Sequence, residues 1–214
     1  MTDVNVEYGQ HAVLLGVPGS GKTFLARNLL LPPAERVLVV DTEEYDFEDF
    51  PKVRLKTALR LAKGNSRFVC RVVMSGDFPQ NLGPLDELCS GLLKNGHDLY
   101  VYFDEITDFA DASVIPPSLR ALMRKGRKRS ITVIAGTQRP QLLNKTVFSN
   151  SVHRFVFFIS DYDAARIREF APWVEDHLAE IPWKSYRCIY QGPDSTLTIL
   201  EPAEEYAWRN RFKR

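Results

Sequence analysis

The sequence predicts an α/β domain with a mainly parallel central sheet, and three observations lead to this fold class. Apolar runs of strand length alternate with segments of helical periodicity, the order in which βαβ units build a parallel sheet. A glycine-rich loop follows the first apolar run, and a pair of acidic residues follows a later one. We assign residues 1–214 to a single domain, because this length suits one sizeable core.

The first apolar run, Ala12 to Leu15, leads into the loop Gly16-Val17-Pro18-Gly19-Ser20-Gly21-Lys22-Thr23. The loop fills every fixed position of G-x-x-x-x-G-K-[ST], the P-loop pattern. Residues 22–30 are predicted to form a helix that ends before Pro32 and Pro33, since proline cannot continue a helix. Strand, glycine loop and helix therefore occur in the order that the pattern requires.

The chemistry of this loop favours a nucleoside triphosphate as ligand. Glycines let backbone N–H groups turn inward around phosphate oxygens, and the helix N-terminus adds positive potential. We predict that Gly16 to Thr23 bind the phosphates of ATP. Lys22 would reach the β- and γ-phosphates, and the Thr23 hydroxyl would ligate Mg²⁺.

The next part of the chain is predicted to contain two strands, 36–41 and 68–74, and two helices, 57–63 and 84–94. A dense acidic loop begins at Asp41. It is either a solvated turn or a ligand site in which Asp41 or Glu44 lies at the carboxyl end of a central strand. The residues alone leave both readings open.

A second landmark is Leu99-Tyr100-Val101-Tyr102-Phe103-Asp104-Glu105, an apolar run that ends in two acids. Downstream of a P-loop, this is typical of a Walker B strand rather than of an acidic turn. Asp104 would hold the Mg²⁺ shell, and Glu105 would orient and deprotonate the attacking water. A hydrolase needs such a carboxylate, whereas a kinase acting on a small molecule does not.

A basic helix is predicted from Pro116 onwards, with Arg120, Arg124 and Arg127 sharing one face. These arginines form a solvated surface, supply an arginine finger to a neighbouring subunit, or contact a nucleic-acid backbone. A β-branched strand, 130–137, follows and ends at Gln138, whose side chain has the length to reach the attacking water or the γ-phosphate.

The remaining elements predicted are a strand at 154–159, a helix at 161–170, a short second helix and a terminal hairpin, 186–190 with 196–200. The net charge of +1 does not indicate nucleic-acid binding, but it does not exclude a motor that concentrates basic groups in a channel. No apolar run approaches the ~18 residues of a membrane span, and we expect no membrane insertion. The three cysteines and four histidines lack metal-ligand spacing.

Several of these segments together resemble the FtsK–HerA superfamily of DNA-pumping ATPases. The resemblance rests on Gly126-Arg127, an apolar strand and Thr137-Gln138-Arg139-Pro140, and it continues through Arg154-Phe155 and Ser160-Asp161. It covers roughly residues 13–167, and the acidic loop after Asp41 matches imperfectly. The bare core is most similar to the genome-packaging ATPases of tailless, membrane-containing icosahedral viruses, including archaeal ones.

The resemblance implies a RecA-like P-loop fold of the ASCE type, in which the strand ending at Gln138 separates the Walker A and Walker B strands. The motor core would span about 11–170, and a C-terminal extension with the β-hairpin would span about 171–214. Gln138 would act as a polar sensor. Arg127 would be the trans-acting finger, with Arg124 as second choice.

By the same resemblance, the protein would form a homo-oligomeric ring, most simply a hexamer, that uses ATP and Mg²⁺ to drive double-stranded DNA into a preformed capsid. It would grip the phosphate backbone without reading sequence, contact capsid vertex proteins, and work in the host cytoplasm or on the virion. Two alternatives are a filamentous-phage assembly ATPase similar to zonula-occludens-toxin-like proteins and a small-molecule P-loop kinase.

Overall fold

The computed structural model describes residues 4–42, 46–74, 82–206 and 208. Within this part of the chain the sheet has eight strands in the order β3-β2-β4-β5-β1-β6-β7-β8. The strands are β1 His11–Leu15, β2 Arg36–Asp41, β3 Phe68–Val73, β4 Leu99–Phe103, β5 Ile131–Thr137, β6 Ser151–Val156, β7 Cys188–Gln191 and β8 Leu197–Leu200. Strands β1 to β6 pair in parallel, whereas β7 and β8 add antiparallel at one edge.

Helices cover both faces of this sheet. They are α1 Lys22–Leu25, α2 Leu55–Lys63, α3 Leu82–Asn95, α4 Pro117–Lys125, α5 Lys145–Asn150, α6 Asp161–Ile167 and α7 Trp173–His177. In β1, Val13 and Leu15 enter one buried apolar cluster while Ala12 and Leu14 enter the other. Because side chains alternate along a strand, an apolar run without polar interruptions is what a strand covered on both faces requires.

The predicted fold class is confirmed, including the strand order that discriminates between P-loop classes. Strand β5 lies between the P-loop strand β1 and the acidic strand β4. The adjacent arrangement of β1 and β4 would have indicated the kinase class. The C-terminal hairpin is confirmed as β7 and β8, and it extends the sheet beyond β6.

Some element boundaries differ from the predictions for local reasons. The helix predicted over 22–30 is α-helical only to Leu25 and continues as a π-helix over Ala26–Leu30. Helix α5 was not predicted; the Asn144 side chain caps it by accepting from Thr146 N–H at 2.9 Å. Strand β6 therefore begins at Ser151, three residues before the predicted start, and ends at Val156.

His11 is a structural histidine that ties β1 to α4 and β5. It is buried; its Nε2–H donates to the carbonyl of Met123 at 2.9 Å, and its Nδ1 accepts from Val133 N–H at 3.0 Å. Burial lowers the pKa of His11 from 6.5 to about 4. Both ring nitrogens are occupied in the neutral form, so protonation would break the bond from Val133.

We predict that His11 makes the fold sensitive to mild acid. The unfolded chain binds a proton near pH 6.5 and the native chain only near pH 4, so stability is complete above pH 6.5 and falls as the pH drops towards 4. The contribution is about 2 kcal/mol between pH 7 and pH 5. Urea unfolding at both pH values should show that His11→Gln reduces the pH dependence by this amount, and an unchanged dependence would contradict the assignment.

The three cysteines are free and buried. Burial raises the pKa of the Cys70 thiol to about 12, and it raises those of Cys89 and Cys188 as well. No helix among the described residues has the length and apolar character to span a membrane.

Candidate nucleotide-binding site

The loop from Gly16 to Thr23 connects β1 to α1 and is held from both sides. Gly16 N–H donates to the carbonyl of Thr137 on β5 at 3.3 Å, and Val17 N–H donates to that of Phe158 after β6 at 3.1 Å. Gly19 and Gly21 have φ values of 69° and 107°, a conformation that glycine adopts without a steric penalty. A Cβ on Gly16 would lie 2.6 Å from Ser20 Oγ. The sequence pattern thus corresponds to real geometric requirements.

Hydrogen bonds position the side chains of Lys22 and Thr23 at the end of the loop. Lys22 is buried, and its ammonium donates to the carbonyls of Gly16 at 2.8 Å and Val17 at 2.9 Å. The Thr23 hydroxyl donates to Asp104 Oδ1 at 3.2 Å. The fold therefore brings together Thr23 and Asp104, the two residues predicted to hold Mg²⁺, although they lie 81 positions apart in sequence.

Asp104 has a second hydrogen-bond donor that sequence reasoning missed. The hydroxyl of Tyr102, a fully buried residue of β4, donates to Asp104 Oδ1 at 2.8 Å. Burial raises the pKa of Asp104 to about 6, while the donors Tyr102 and Thr23 act in the opposite direction. Tyr102 precedes Asp104 by two residues and so shares its face of the strand, which is the signal that could have identified it.

Glu105 lies beside Asp104 and is buried, and each of its carboxylate oxygens accepts a hydrogen bond while Oε2 retains room for another donor. Its Oε1 accepts from the backbone N–H and the hydroxyl of Thr107, and its Oε2 accepts from Gln138 N–H at 2.6 Å. Glu105 also caps the 3₁₀ turn Ile106–Asp108. Thr107, whose hydroxyl lies 3.3 Å from that of Thr137, is a further residue that sequence reasoning missed.

Gln138 follows directly after β5 and lies between Glu105 and the cavity beside the P-loop. Its backbone N–H binds Glu105, while the residue lines a cavity of about 680 Å³ together with Lys22 and Thr23. Gly136 allows the close approach of the two strands, because a Cβ there would lie 2.6 Å from the Asp104 carbonyl oxygen. Asp104, Glu105 and Gln138 thus lie together at the carboxyl edge of the sheet, as predicted.

Arg124 and Arg127 are located elsewhere. Arg124 lies in α4 and Arg127 in the 3₁₀ turn Gly126–Arg129, which leads into the amino end of β5. Both side chains are exposed. The seven residues of β5 separate them from Gln138, a length of roughly 20 Å at about 3.3 Å per residue. Neither arginine belongs to the phosphate site of its own chain.

Asp41 ends β2 at the same edge, but its carboxylate is engaged. Oδ2 accepts from Arg71 Nη1 at 2.7 Å in an ion pair that is almost fully buried. Glu44, the alternative named from sequence, lies outside the described residues. The position of Asp41 fits a ligand site, whereas its contact with Arg71 fits a structural role.

We predict that Asp41→Asn acts on stability rather than on nucleotide affinity. Removing one charge of a buried pair costs about 3 kcal/mol, so urea unfolding should show a loss of that order. The control is Asp49→Asn, because Asp49 pairs with Arg27 at 2.5 Å on the surface and such pairs contribute at most about 1 kcal/mol. A large loss of Mg-ATP affinity without a loss of stability would instead make Asp41 a ligand residue.

The oxygen atoms of Thr23 and Asp104 are suitable ligands for Mg²⁺. A hydroxyl and a carboxylate oxygen lie side by side at Thr23 and Asp104, and Mg²⁺ prefers such hard oxygen ligands together with water and substrate phosphates. The described residues contain no cluster of three or more acidic, histidine or cysteine side chains able to hold a metal by themselves.

The strand order and the loop together define the class of the protein: it has the fold of a RecA-like P-loop nucleoside triphosphatase. No protein-family model matches the chain. A search of solved structures finds the genome packaging NTPase B204 of Sulfolobus turreted icosahedral virus 2, in complex with ATP-gammaS, at a TM-score of 0.74 and 15% identity. The match covers 93% of this chain and all of that one.

Two further matches extend this likeness. Protein P9 of Pseudoalteromonas phage PM2 is 27% identical over 158 residues, which are 73% of this chain and 72% of that protein. The pCW3 conjugation coupling protein TcpA, in its monomer form with ATPgS, matches at a TM-score of 0.65 and 14% identity, over 98% of this chain and 64% of that one. The fold implied by the sequence resemblance is confirmed, because the chain shares it with a viral genome packaging NTPase and with a conjugation coupling protein.

Proposed function

We propose that the protein is an ATP-hydrolysing motor that translocates double-stranded DNA during packaging of a viral genome. The observation that carries the proposal is the hydrogen bond between Glu105 and Gln138 N–H. This bond links Glu105, the carboxylate suited to activate water, to Gln138 at the end of β5. The fold in which it occurs is shared with a viral packaging NTPase.

The residues of the site have distinct parts in the proposed reaction. The loop Gly16 to Thr23 binds the phosphates, and Lys22 moves from its carbonyl partners to the β- and γ-phosphates. Thr23 and Asp104 would hold Mg²⁺, which would neutralise charge on the phosphates. Glu105 orients water for in-line attack on the γ-phosphate and accepts its proton.

Arg124 and Arg127 support an oligomeric assembly. They are exposed at the opposite end of β5 from the phosphate site of their own chain, so they act on catalysis only from a neighbouring subunit. We propose a head-to-tail ring in which each subunit presents one face to its neighbour's active site, with a rotation between subunits that closes the ring. Its channel would bind the DNA backbone without sequence preference.

The experiment that tests the function measures the ATP hydrolysis rate per subunit against protein concentration, with and without double-stranded DNA. A ring motor predicts a rate that rises with concentration and rises further with DNA. A rate that is independent of both would refute the motor function, and small phosphoryl acceptors would then be screened.

Gln138 is proposed to couple phosphate loss to DNA movement. The residue lines the cavity that contains Lys22, and its backbone N–H donates to Glu105. We predict that Gln138→Ala lowers DNA-stimulated translocation by at least about tenfold, the lower range of effects expected for positioning groups, while DNA-independent hydrolysis changes less. Single-molecule translocation and hydrolysis assays measure the two quantities, and normal translocation by this variant would rule out the coupling.

A further inference from the structure

Three exposed aromatic side chains surround the P-loop, and the phosphate chemistry gives them no role. Phe24 belongs to α1, whereas Trp183 and Tyr186 belong to the segment between α7 and β7 and are 45% and 50% exposed. An atom built as Cβ on Gly21 would lie 3.4 Å from the Tyr186 ring and 3.4 Å from the Phe157 ring. The rings of Tyr186 and Phe157 therefore pack directly against the P-loop.

The backbone that presents Tyr186 adopts an unusual conformation. Lys184 and Tyr186 have φ values of 62° and 57°, in the left-handed region that bulky residues rarely occupy. Local hydrogen bonds hold the turn, from Ser185 N–H to the Pro182 carbonyl at 3.0 Å and from Arg187 N–H to Ser185 Oγ at 3.2 Å. Such conformations are concentrated at functional sites, where the surrounding structure maintains them.

The segment after β8 closes the same side of the loop. Tyr206 N–H donates to Asn28 Oδ1 at 2.9 Å, and the indole N–H of buried Trp208 donates to the Arg27 carbonyl at 2.8 Å. These contacts hold the chain against the helix that follows the P-loop. Pro202 and Ala203 consequently line the 680 Å³ cavity with Tyr186 and Phe157.

The strand order indicates which end of a nucleotide meets this surface. Glu105 and Gln138 follow β4 and β5 on one side of β1, whereas Phe157 and Tyr186 follow β6 and precede β7 on the other. A triphosphate whose γ-phosphate faces Glu105 and Gln138 therefore directs its nucleoside towards Phe157 and Tyr186.

We propose that exposed Tyr186, supported by the buried ring of Phe157 and flanked by Pro202 and Ala203, forms a stacking platform for the nucleobase and accepts ribonucleoside triphosphates without strong base selectivity. This inference rests on the proposed nucleotide site and adds how the base is held. Every nucleobase has a π-face that stacks on an aromatic ring. Among the described residues outside the P-loop, the polar ones that line the cavity are Asp46, Gln138 and Tyr186, and Gln138 lies on the γ-phosphate side.

The test compares a nucleotide with its phosphate moiety alone. Calorimetry measures the affinity of the β,γ-methylene analogue of ATP and of inorganic tripolyphosphate for the wild type and for Tyr186→Asn. Asparagine removes the ring but tolerates the left-handed backbone. We expect the analogue to bind about tenfold more weakly to the variant, the scale of base–aromatic stacking, while tripolyphosphate affinity stays within about twofold.

Two controls separate stacking from general damage. Tyr186→Phe keeps the ring and should bind like the wild type. Tyr162→Ala removes another exposed aromatic ring, in α6 under the Arg166 guanidinium, and should also bind like the wild type. The analogues of ATP, GTP, CTP and UTP should bind within about tenfold of one another, as sequence-tolerant stacking predicts.

The outcomes distinguish the platform from the proposed function itself. Equal weakening of analogue and tripolyphosphate in Tyr186→Asn, or a preference above about 100-fold for one base, would overturn the platform while leaving the P-loop site intact. Absence of binding by both ligands to the wild type would overturn the nucleotide site and the platform together.

Discussion

Replacing Glu105 by glutamine is expected to lower kcat for ATP hydrolysis by about 10²- to 10⁴-fold, the contribution of a positioned general base. The affinity for ATP should remain within about twofold, because the Lys22 and Thr23 contacts do not involve Glu105. Single-turnover hydrolysis and equilibrium binding measure the two quantities separately. Glutamine keeps one carbonyl oxygen to accept from Thr107 or Gln138 N–H, so the turn 106–108 retains a cap.

The matched control for Glu105→Gln is Asp108→Asn, which changes another acid in the same 3₁₀ turn. An Asp108 carboxylate oxygen lies 3.8 Å from Nη1 of the half-exposed Arg139 side chain. We expect Asp108→Asn to retain activity within a few-fold. Full activity in Glu105→Gln together with loss in Asp108→Asn would mean that the base has been assigned to the wrong carboxylate.

The elements that sequence predicted well are those whose signal is local. Strand β2 has the predicted bounds, Arg36–Asp41, because the buried residues 37–40 form a clear apolar run between a basic and an acidic residue. The loop Gly16 to Thr23 was predictable because each glycine meets a steric requirement that other residues fail. Helix α5 was missed because its six residues carry little periodicity, and its start depends on one side-chain cap at Asn144.

Two kinds of residue escaped prediction. Tyr102 and Thr107 bind Asp104 and Glu105 from only two positions away in sequence, yet each is an ordinary residue of a strand or a turn. Tyr186 reaches the P-loop only because β7 adds beside β6 and the preceding turn bends through left-handed conformations. No pattern of spacing records a contact between residues 21 and 186, so the fold was needed to reveal it.

Replacing Arg127 by alanine is expected to lower ATP hydrolysis by about 10³- to 10⁵-fold in the assembled protein, the effect typical of an arginine finger. Arg127 lies at the amino end of β5, away from the phosphate site of its own chain. Its exposed side chain can therefore contact the γ-phosphate bound by a neighbouring subunit. Arg124→Ala tests the second candidate, and Lys128→Ala is the control because Lys128 is an exposed cation in the same turn. Steady-state hydrolysis above the assembly concentration is the measurement.

Mixing inactive variants tests whether Arg127 acts in trans. An Arg127→Ala subunit retains Glu105, and a Glu105→Gln subunit retains Arg127, so an interface between them in one orientation has both groups. In a one-to-one mixture roughly a quarter of the interfaces of a head-to-tail ring are complete, and activity should recover towards that fraction. Recovery requires that the two residues serve one site from different subunits, because neither chain alone holds the pair. A mixture as inactive as its components, in rings shown to exchange subunits, would place the finger elsewhere and leave Arg127 with a role in assembly.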